Sequence, residues 1–169
     1  KFTRGFLTAG LAVLCGAAMA LVAPGIAHAD DGKCRDVSVP LTLPGLSIHG
    51  VFCQPTGSAK NVVQVLIPGG TYNQTYWNFP YKPEKYNFRL AMNKAGFAMF
   101  TLDRLGTGGS SRPPSATVTP ELQANAVHQV IQALRNGRLG QRFDKVILGG
   151  HSVGSVVAEL EVATYQDVD

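Results

Sequence analysis

Charged side chains are scarce in this sequence of 169 residues: Asp, Glu, Lys and Arg together make up 15%, against roughly 25% in an average domain. The apolar fraction of 45% is normal for a packed core and argues against disorder. Lys1 and Arg4 are the charges of the first 29 residues, and the rest carries 13 basic against 11 acidic groups, a net charge of +2. No basic run with interleaved aromatic residues occurs, so a nucleic-acid partner is not predicted.

The first 29 residues also lack acidic side chains, and their layout is typical of a secretory signal peptide. Lys1 and Arg4 precede an apolar stretch over residues 5–23, and small residues Ala27 and Ala29 occupy the −3 and −1 positions of a cleavage site. We therefore predict a signal peptide at 1–29 and a secreted, extracellular protein without stable membrane association. An uncleaved membrane anchor is the alternative, because the apolar stretch could almost span a bilayer.

Cysteine is rare as well. Outside the leader only Cys34 and Cys53 remain, and an even pair in an oxidising compartment predicts a disulfide. Two buried free thiols are the alternative. No metal site and no cofactor site is predicted, since the two cysteines lack the close spacing of zinc ligands.

Hydrophobic patterning predicts strands and helices in alternation. Short strands are expected at 37–39 and 48–53, and buried strands at 61–67, 97–102 and 146–148. Helices are expected over 83–95, from Pro120 to Gly137 with Thr119 as the N-cap, and from Val153 onward. This order predicts an α/β fold with a mostly parallel sheet and flanking helices.

The most informative motif is Gly150-His151-Ser152-Val153-Gly154, which lies between a predicted buried strand and a predicted helix. A nucleophile elbow needs this arrangement, because the tight turn forces the serine into a positive-φ conformation and only small residues fit two positions before and after it. The motif predicts Ser152 as a catalytic nucleophile, with Gly150 and Gly154 as structural residues. A structural turn with an incidental serine is the alternative.

Two glycine-rich segments follow the other buried strands. After the first, Pro68-Gly69-Gly70-Thr71 is suited to an oxyanion hole, and we predict the backbone N–H groups of Gly70 and Val153 as its donors. Thr71 is the alternative loop donor, and a simple flexible turn remains open. Residues 103–111 lack the spacing of a dinucleotide fingerprint and the lysine of a phosphate loop, so we assign them to architecture.

Three segments in this order, 68–72, 103–111 and 150–154, resemble the α/β-hydrolase superfamily, and in particular secreted bacterial serine esterase-like members, over residues 37–165. Pro68 stands where the superfamily usually has His. The resemblance implies that the acid and the histidine of a triad follow the nucleophile, yet 17 residues follow Ser152 and none is His. We therefore expect 30–169 to be the N-terminal part of a hydrolase domain, truncated after the elbow helix and inactive as it stands.

The histidines and acids of the chain have other expected places. His128 is predicted to lie at the surface, His151 to pack within the elbow, and His49 to have no catalytic role. The acidic residues after Ser152 are expected to form the polar face of the last helix and its exit: Glu159, Glu161, Asp167 and Asp169. No complete triad is predicted within the chain.

The function implied by the resemblance is that of a serine hydrolase acting on a small-molecule ester with an apolar moiety. Five aromatic residues within 72–81 either line an apolar substrate pocket or cover the edge of the sheet. A non-catalytic binding or structural protein on the same scaffold is the alternative function. A serine peptidase or thioesterase is a third.

Overall fold

The structure is a computed structural model that describes residues 33–55 and 58–169. The predicted signal peptide at 1–29 lies outside the described residues. None of the described helices is both long enough and apolar enough to cross a membrane.

A five-stranded sheet forms the centre of the molecule, in the order β1-β2-β4-β3-β5. Its strands are β1 Cys34–Pro40, β2 Ser47–Cys53, β3 Val62–Ile67, β4 Ala98–Leu102 and β5 Lys145–Gly150. Strand β2 pairs antiparallel with β1 and β4, whereas β3 pairs parallel with both β4 and β5. The helices are α1 Pro83–Tyr86, α2 Phe88–Lys94, α3 Pro120–Arg135 and α4 Val153–Tyr165, with short 3-10 turns at Gln74–Tyr76 and Ser115–Thr117. The predicted α/β architecture is confirmed.

The core lies between the sheet and the helices. All five residues of β4 are buried, as a strand covered on both faces requires. Helix α3 buries one apolar face formed by Val127, Val130, Ile131 and Leu134. The helix begins as predicted, because the Thr119 side chain accepts a hydrogen bond from the Leu122 amide and Pro120 occupies the first turn.

The expected continuous helix over 83–95 is wrong in one respect: it is divided at Asn87. The backbone of Asn87 is extended, with ψ of 93°, and its side chain accepts a hydrogen bond from the Leu90 amide. Its amide group also donates to Asn78 Oδ1 at 2.7 Å. Asn87 is therefore the N-cap of α2, because its side chain competes with the helical backbone for hydrogen bonds.

The polar-face position expected for Glu161 is wrong, and His128 is only partly exposed. Glu161 is fully buried, because it lies on the side of α4 that packs against α3. The His128 side chain is 25% exposed and lies against Asp167. The periodicity of a single helix does not reveal these positions, because they depend on a contact between α3 and α4, in which His128 faces Glu161.

The two cysteines form the predicted disulfide, Cys34–Cys53. They lie directly opposite each other in the antiparallel pairing of β1 with β2. The bond therefore fastens the edge strand β1, whose described strand partner is β2.

Candidate active site

Three loops meet at one edge of the sheet because β3, β4 and β5 run parallel. The segment 68–73 follows β3, the segment 103–111 follows β4, and the turn at His151 and Ser152 follows β5. In open α/β sheets, ligands bind outside the carboxyl ends of the strands. The structure thus brings all three glycine-rich segments of the sequence to the edge where a binding site is expected.

The turn after β5 has the strained geometry that its sequence predicts. Ser152 has φ of 54° and ψ of −125°, a conformation that L-residues rarely adopt. A Cβ on Gly150 would lie 2.3 Å from the Gly154 carbonyl oxygen, and a Cβ on Gly154 would lie 2.4 Å from that of Ile67. Both glycines are therefore required by close contacts, and Ser152 is left exposed at the start of α4.

Arg104 holds the loop after β3. Its Nε donates to the Pro68 carbonyl at 3.1 Å, and its Nη2 donates to the carbonyls of Gly69 and Gly70 at 2.8 and 2.9 Å. Arg104 is 8% exposed, and burial lowers the pKa of its guanidinium, while the charge of Tyr72 partly offsets this. One buried side chain therefore fixes three consecutive carbonyls of the predicted oxyanion loop.

The orientation of these carbonyls also sets the direction of the Gly70 amide. In a trans peptide the C=O and the following N–H point in opposite directions, so the Gly70 N–H points away from Arg104. Within the part of the chain that the structure describes, this amide donates to no backbone acceptor. The Val153 amide belongs to the first turn of α4, where an N–H has no intrahelical partner. Both predicted donors are thus free of backbone acceptors.

Asp103 organises the loop after β4. This carboxylate is 2% exposed, and it accepts hydrogen bonds from the amides of Gln74 and Gly109, both at 2.8 Å. Its Oδ2 also lies 2.9 Å from His49 Nδ1. A Cβ on Gly108 would collide with the carboxylate. These contacts agree with the architectural assignment of residues 103–111, and they show that His49 is engaged away from the elbow.

The histidine next to Ser152 packs against tyrosines. His151 Nδ1 makes a short hydrogen bond with the Tyr72 hydroxyl, and its ring stacks on Tyr76 with centroids 4.7 Å apart. His128 lies 2.8 Å from Asp167. Among the described residues, no histidine is hydrogen-bonded to Ser152.

An aromatic groove extends from this packing. It has a volume of about 580 Å³ and is lined by Tyr76, Trp77, Phe79, Tyr81, Tyr86 and Phe88. Since Tyr76 also stacks on His151, the groove begins beside the elbow. Of the five aromatic residues predicted from 72–81, all but Tyr72 line the groove, and Tyr86 and Phe88 lie outside that predicted segment. The continued run of aromatic residues past Pro83 was the signal available in the sequence.

Comparisons with known proteins agree with this geometry. The alpha/beta hydrolase GrgF from Penicillium sp. sh18 superposes with a TM-score of 0.63 at 19% identity, over 80% of this chain and 43% of its own. Epoxide hydrolase A from Mycobacterium thermoresistibile has a TM-score of 0.58 at 20% identity, over 80% of this chain and 36% of its own. The esterase EaEST from Exiguobacterium antarcticum has a TM-score of 0.57 at 19% identity, over 78% of this chain and 41% of its own. At these identities the likeness shows the fold. The chain thus spans less than half the length of each of these proteins.

No curated protein matches the sequence. The family comparison is more specific, because residues 64–168 match the "Alpha/beta hydrolase family". This match includes the loop after β3, the segment 103–111 and the elbow, and it covers more than half of the chain. The chain belongs to the alpha/beta hydrolase family.

Proposed function

We propose that this chain supplies the nucleophile and the oxyanion hole of a serine hydrolase that acts on carboxylic esters. The observation that carries the proposal is the exposed Ser152 at φ of 54° between β5 and the first turn of α4. Such strain persists only where the surrounding structure enforces it, and it is concentrated at functional sites. Here the strand and the helix approach so closely on either side of Ser152 that only glycine fits at positions 150 and 154.

The proposed chemistry follows from the atoms around the elbow. Ser152 Oγ attacks the ester carbonyl carbon, and the backbone N–H groups of Val153 and Gly70 stabilise the resulting oxyanion. Collapse of the tetrahedral intermediate breaks the ester bond and releases the alcohol, and water then hydrolyses the acyl-enzyme. A histidine general base takes the serine proton and returns it to the alcohol. We propose that this histidine and its acid partner come from sequence beyond Asp169.

The aromatic groove is the proposed site for the apolar moiety of the ester. Its lining residues offer apolar surface, with Tyr81, Tyr86 and Phe79 the most exposed side chains. Tyr76 joins the groove to His151 and hence to the elbow. An acyl or alcohol group in this groove would lose its contact with water, which favours binding of apolar esters over polar ones.

Labelling with a fluorophosphonate probe tests the nucleophile. We expect the full-length protein to be labelled at Ser152, and Ser152→Ala to abolish the labelling. Ser115→Ala is the control, because Ser115 is exposed in a 3-10 turn remote from the elbow in sequence and should leave labelling unchanged. Labelling that survives Ser152→Ala would contradict the proposal.

A non-catalytic binding protein is the second candidate. The observation in its favour is that no described histidine is hydrogen-bonded to Ser152. It predicts no labelling and no turnover of short-chain esters by the full-length protein, even when its unfolding transition is cooperative.

We also propose that the protein is secreted by a bacterium. The support is the signal-like sequence at 1–29 together with the Cys34–Cys53 disulfide, since disulfides persist mainly in oxidising compartments. The exported protein is expected to begin at Asp30, which N-terminal sequencing of the culture supernatant would check. An intact leader on the membrane fraction would instead support an anchor.

A further inference from the structure

A cluster of three ligand-type side chains lies away from the elbow, where α3 packs on the C-terminal part of α4. His128 projects from α3, Glu161 from α4, and Asp167 from the segment that follows α4. His128 Nδ1 lies 2.8 Å from Asp167 Oδ2 and 4.0 Å from Glu161 Oε1. One ligand atom from each residue lies within 4.8 Å of the other two.

Glu161 is the unusual member of the cluster. Its side chain is 0% exposed, and neither of its carboxylate oxygens has a hydrogen-bond partner. Asp167 Oδ1 is also buried without a partner. An ionised carboxylate can only accept hydrogen bonds, so two facing carboxylates cannot satisfy one another without a proton or a cation between them.

The neighbouring side chains orient Asp167 but do not neutralise Glu161. Gln132 Nε2 donates to Asp167 Oδ2 at 2.6 Å. Arg135 donates to the backbone carbonyl of Asp167 at 2.9 Å, and its Nη2 pairs with Asp169. Among the described residues, no Lys or Arg forms a salt bridge with Glu161. His128 is the basic side chain that faces both carboxylates. A buried charge without a partner is costly, so a bound cation would stabilise the ionised form of Glu161.

We propose that His128, Glu161 and Asp167 form a binding site for a divalent transition-metal ion such as zinc. An imidazole nitrogen and two carboxylate oxygens are ligands that zinc accepts, and its two positive charges would neutralise both carboxylates. A fourth position remains for water, because His128 is 25% exposed and Asp167 14% exposed.

Residues around His128 are arranged as supports for a ligand. The Tyr165 ring stacks on the imidazole with centroids 4.0 Å apart and planes at 14°. The Tyr165 hydroxyl in turn accepts a hydrogen bond from Asn125 Nδ2 at 2.8 Å. These contacts restrict the orientation of the His128 ring. The tyrosine and asparagine thus hold Nδ1 toward the two carboxylates.

The position of the cluster indicates a structural role for the ion. Glu161 follows Ser152 by nine residues along α4, which places it about 13 Å along the helix axis from the elbow. An ion held by all three side chains would join α3, α4 and the segment after α4. The site is therefore separate from the proposed ester chemistry, and its test does not depend on activity.

Calorimetry and thermal unfolding test the site. The full-length protein, without an affinity tag and dialysed against EDTA and then chelator-free buffer, is titrated with ZnCl₂. We expect one zinc per chain, and a saturating excess should raise the unfolding midpoint by about 5 °C, because a ligand that binds only the folded state stabilises it. Glu161→Gln should weaken binding at least about tenfold.

Glu159→Gln is the matched control, because Glu159 is an exposed acidic residue of the same helix. It should bind zinc as the unmodified protein does. Glu161→Gln keeps the size of the side chain and removes its buried charge, so its metal-free unfolding transition should remain cooperative. If zinc gives neither a heat of binding nor a shift of the unfolding midpoint, the proposal is overturned. The two carboxyl groups would then be stabilised by a shared proton instead of an ion. Equal zinc affinity in Glu161→Gln would also overturn it, since the ion would then bind elsewhere.

Discussion

Arg104 shows how a single residue can join two segments that are far apart in sequence. It follows β4 directly, yet its guanidinium donates to three carbonyls of the loop after β3. Asp103, the preceding residue, fixes the Gln74 amide and the Gly109 amide. This Asp-Arg pair therefore fixes the loop after β3, which we predict to form part of an oxyanion hole, and the segments that contact it. We expect neither side chain to touch the substrate.

We predict that Arg104→Lys slows the reaction of Ser152 with a fluorophosphonate about tenfold or more, because small displacements of a positioning loop are costly in rate. A lysine ammonium lacks the planar fork that reaches three acceptors at once. The rate constant of labelling and the unfolding midpoint would be measured together in the full-length protein.

Arg112→Lys is the control, because Arg112 is exposed and makes a single contact with the Gly108 carbonyl. It should react at the rate of the unmodified protein. A normal labelling rate in Arg104→Lys would show that the loop keeps its position without the guanidinium.

At the scale of elements, most of the fold could be predicted from the sequence because apolar runs and helix caps are local signals. The predicted strand at 61–67 is observed as Val62–Ile67, and Thr119 caps α3 as expected. The break at Asn87 could not be predicted, since it depends on a contact with Asn78. The same holds for Glu161, whose burial is set by the packing of α4 on α3. The elbow was predictable because its motif lies within five residues, although Gly154 is also constrained by the Ile67 carbonyl on β3. The Arg104 contacts have no such local motif and span more than thirty residues.

The pairing of β1 with β2 gives an element-scale prediction. We expect the double variant Cys34→Ser with Cys53→Ser to lower the free energy of unfolding by about 3 kcal/mol, because the bond closes a loop of about 18 residues in the unfolded chain. Urea denaturation of the exported protein with and without a reductant would measure it. The reductant should destabilise the unmodified protein and leave the double variant unchanged, and equal stability of the two proteins under oxidising conditions would refute the prediction.

At the scale of the whole molecule, the β5 edge of the sheet exposes apolar side chains. Within the described residues β5 pairs with β3 alone, and Asp169 covers only its start by bonding to Val146. Apolar side chains are exposed along this flank, with Ile147 at 38% and Val156 at 55%. An exposed apolar edge strand is a template for pairing with another chain. Within the described residues, this flank therefore exposes apolar side chains beside an open edge strand.

A polypeptide of residues 30–169 on its own should consequently self-associate. We expect size-exclusion chromatography with light scattering to show oligomers or aggregates, and Ile147→Lys to reduce them, because a charge on an edge strand opposes strand pairing. Leu43→Lys is the matched control, since Leu43 is similarly exposed at 45% but lies in the turn between β1 and β2. It should leave the association unchanged. A monomeric, cooperatively unfolding polypeptide would contradict the prediction, and an equal effect of both lysines would assign the association to net charge instead of to the β5 edge.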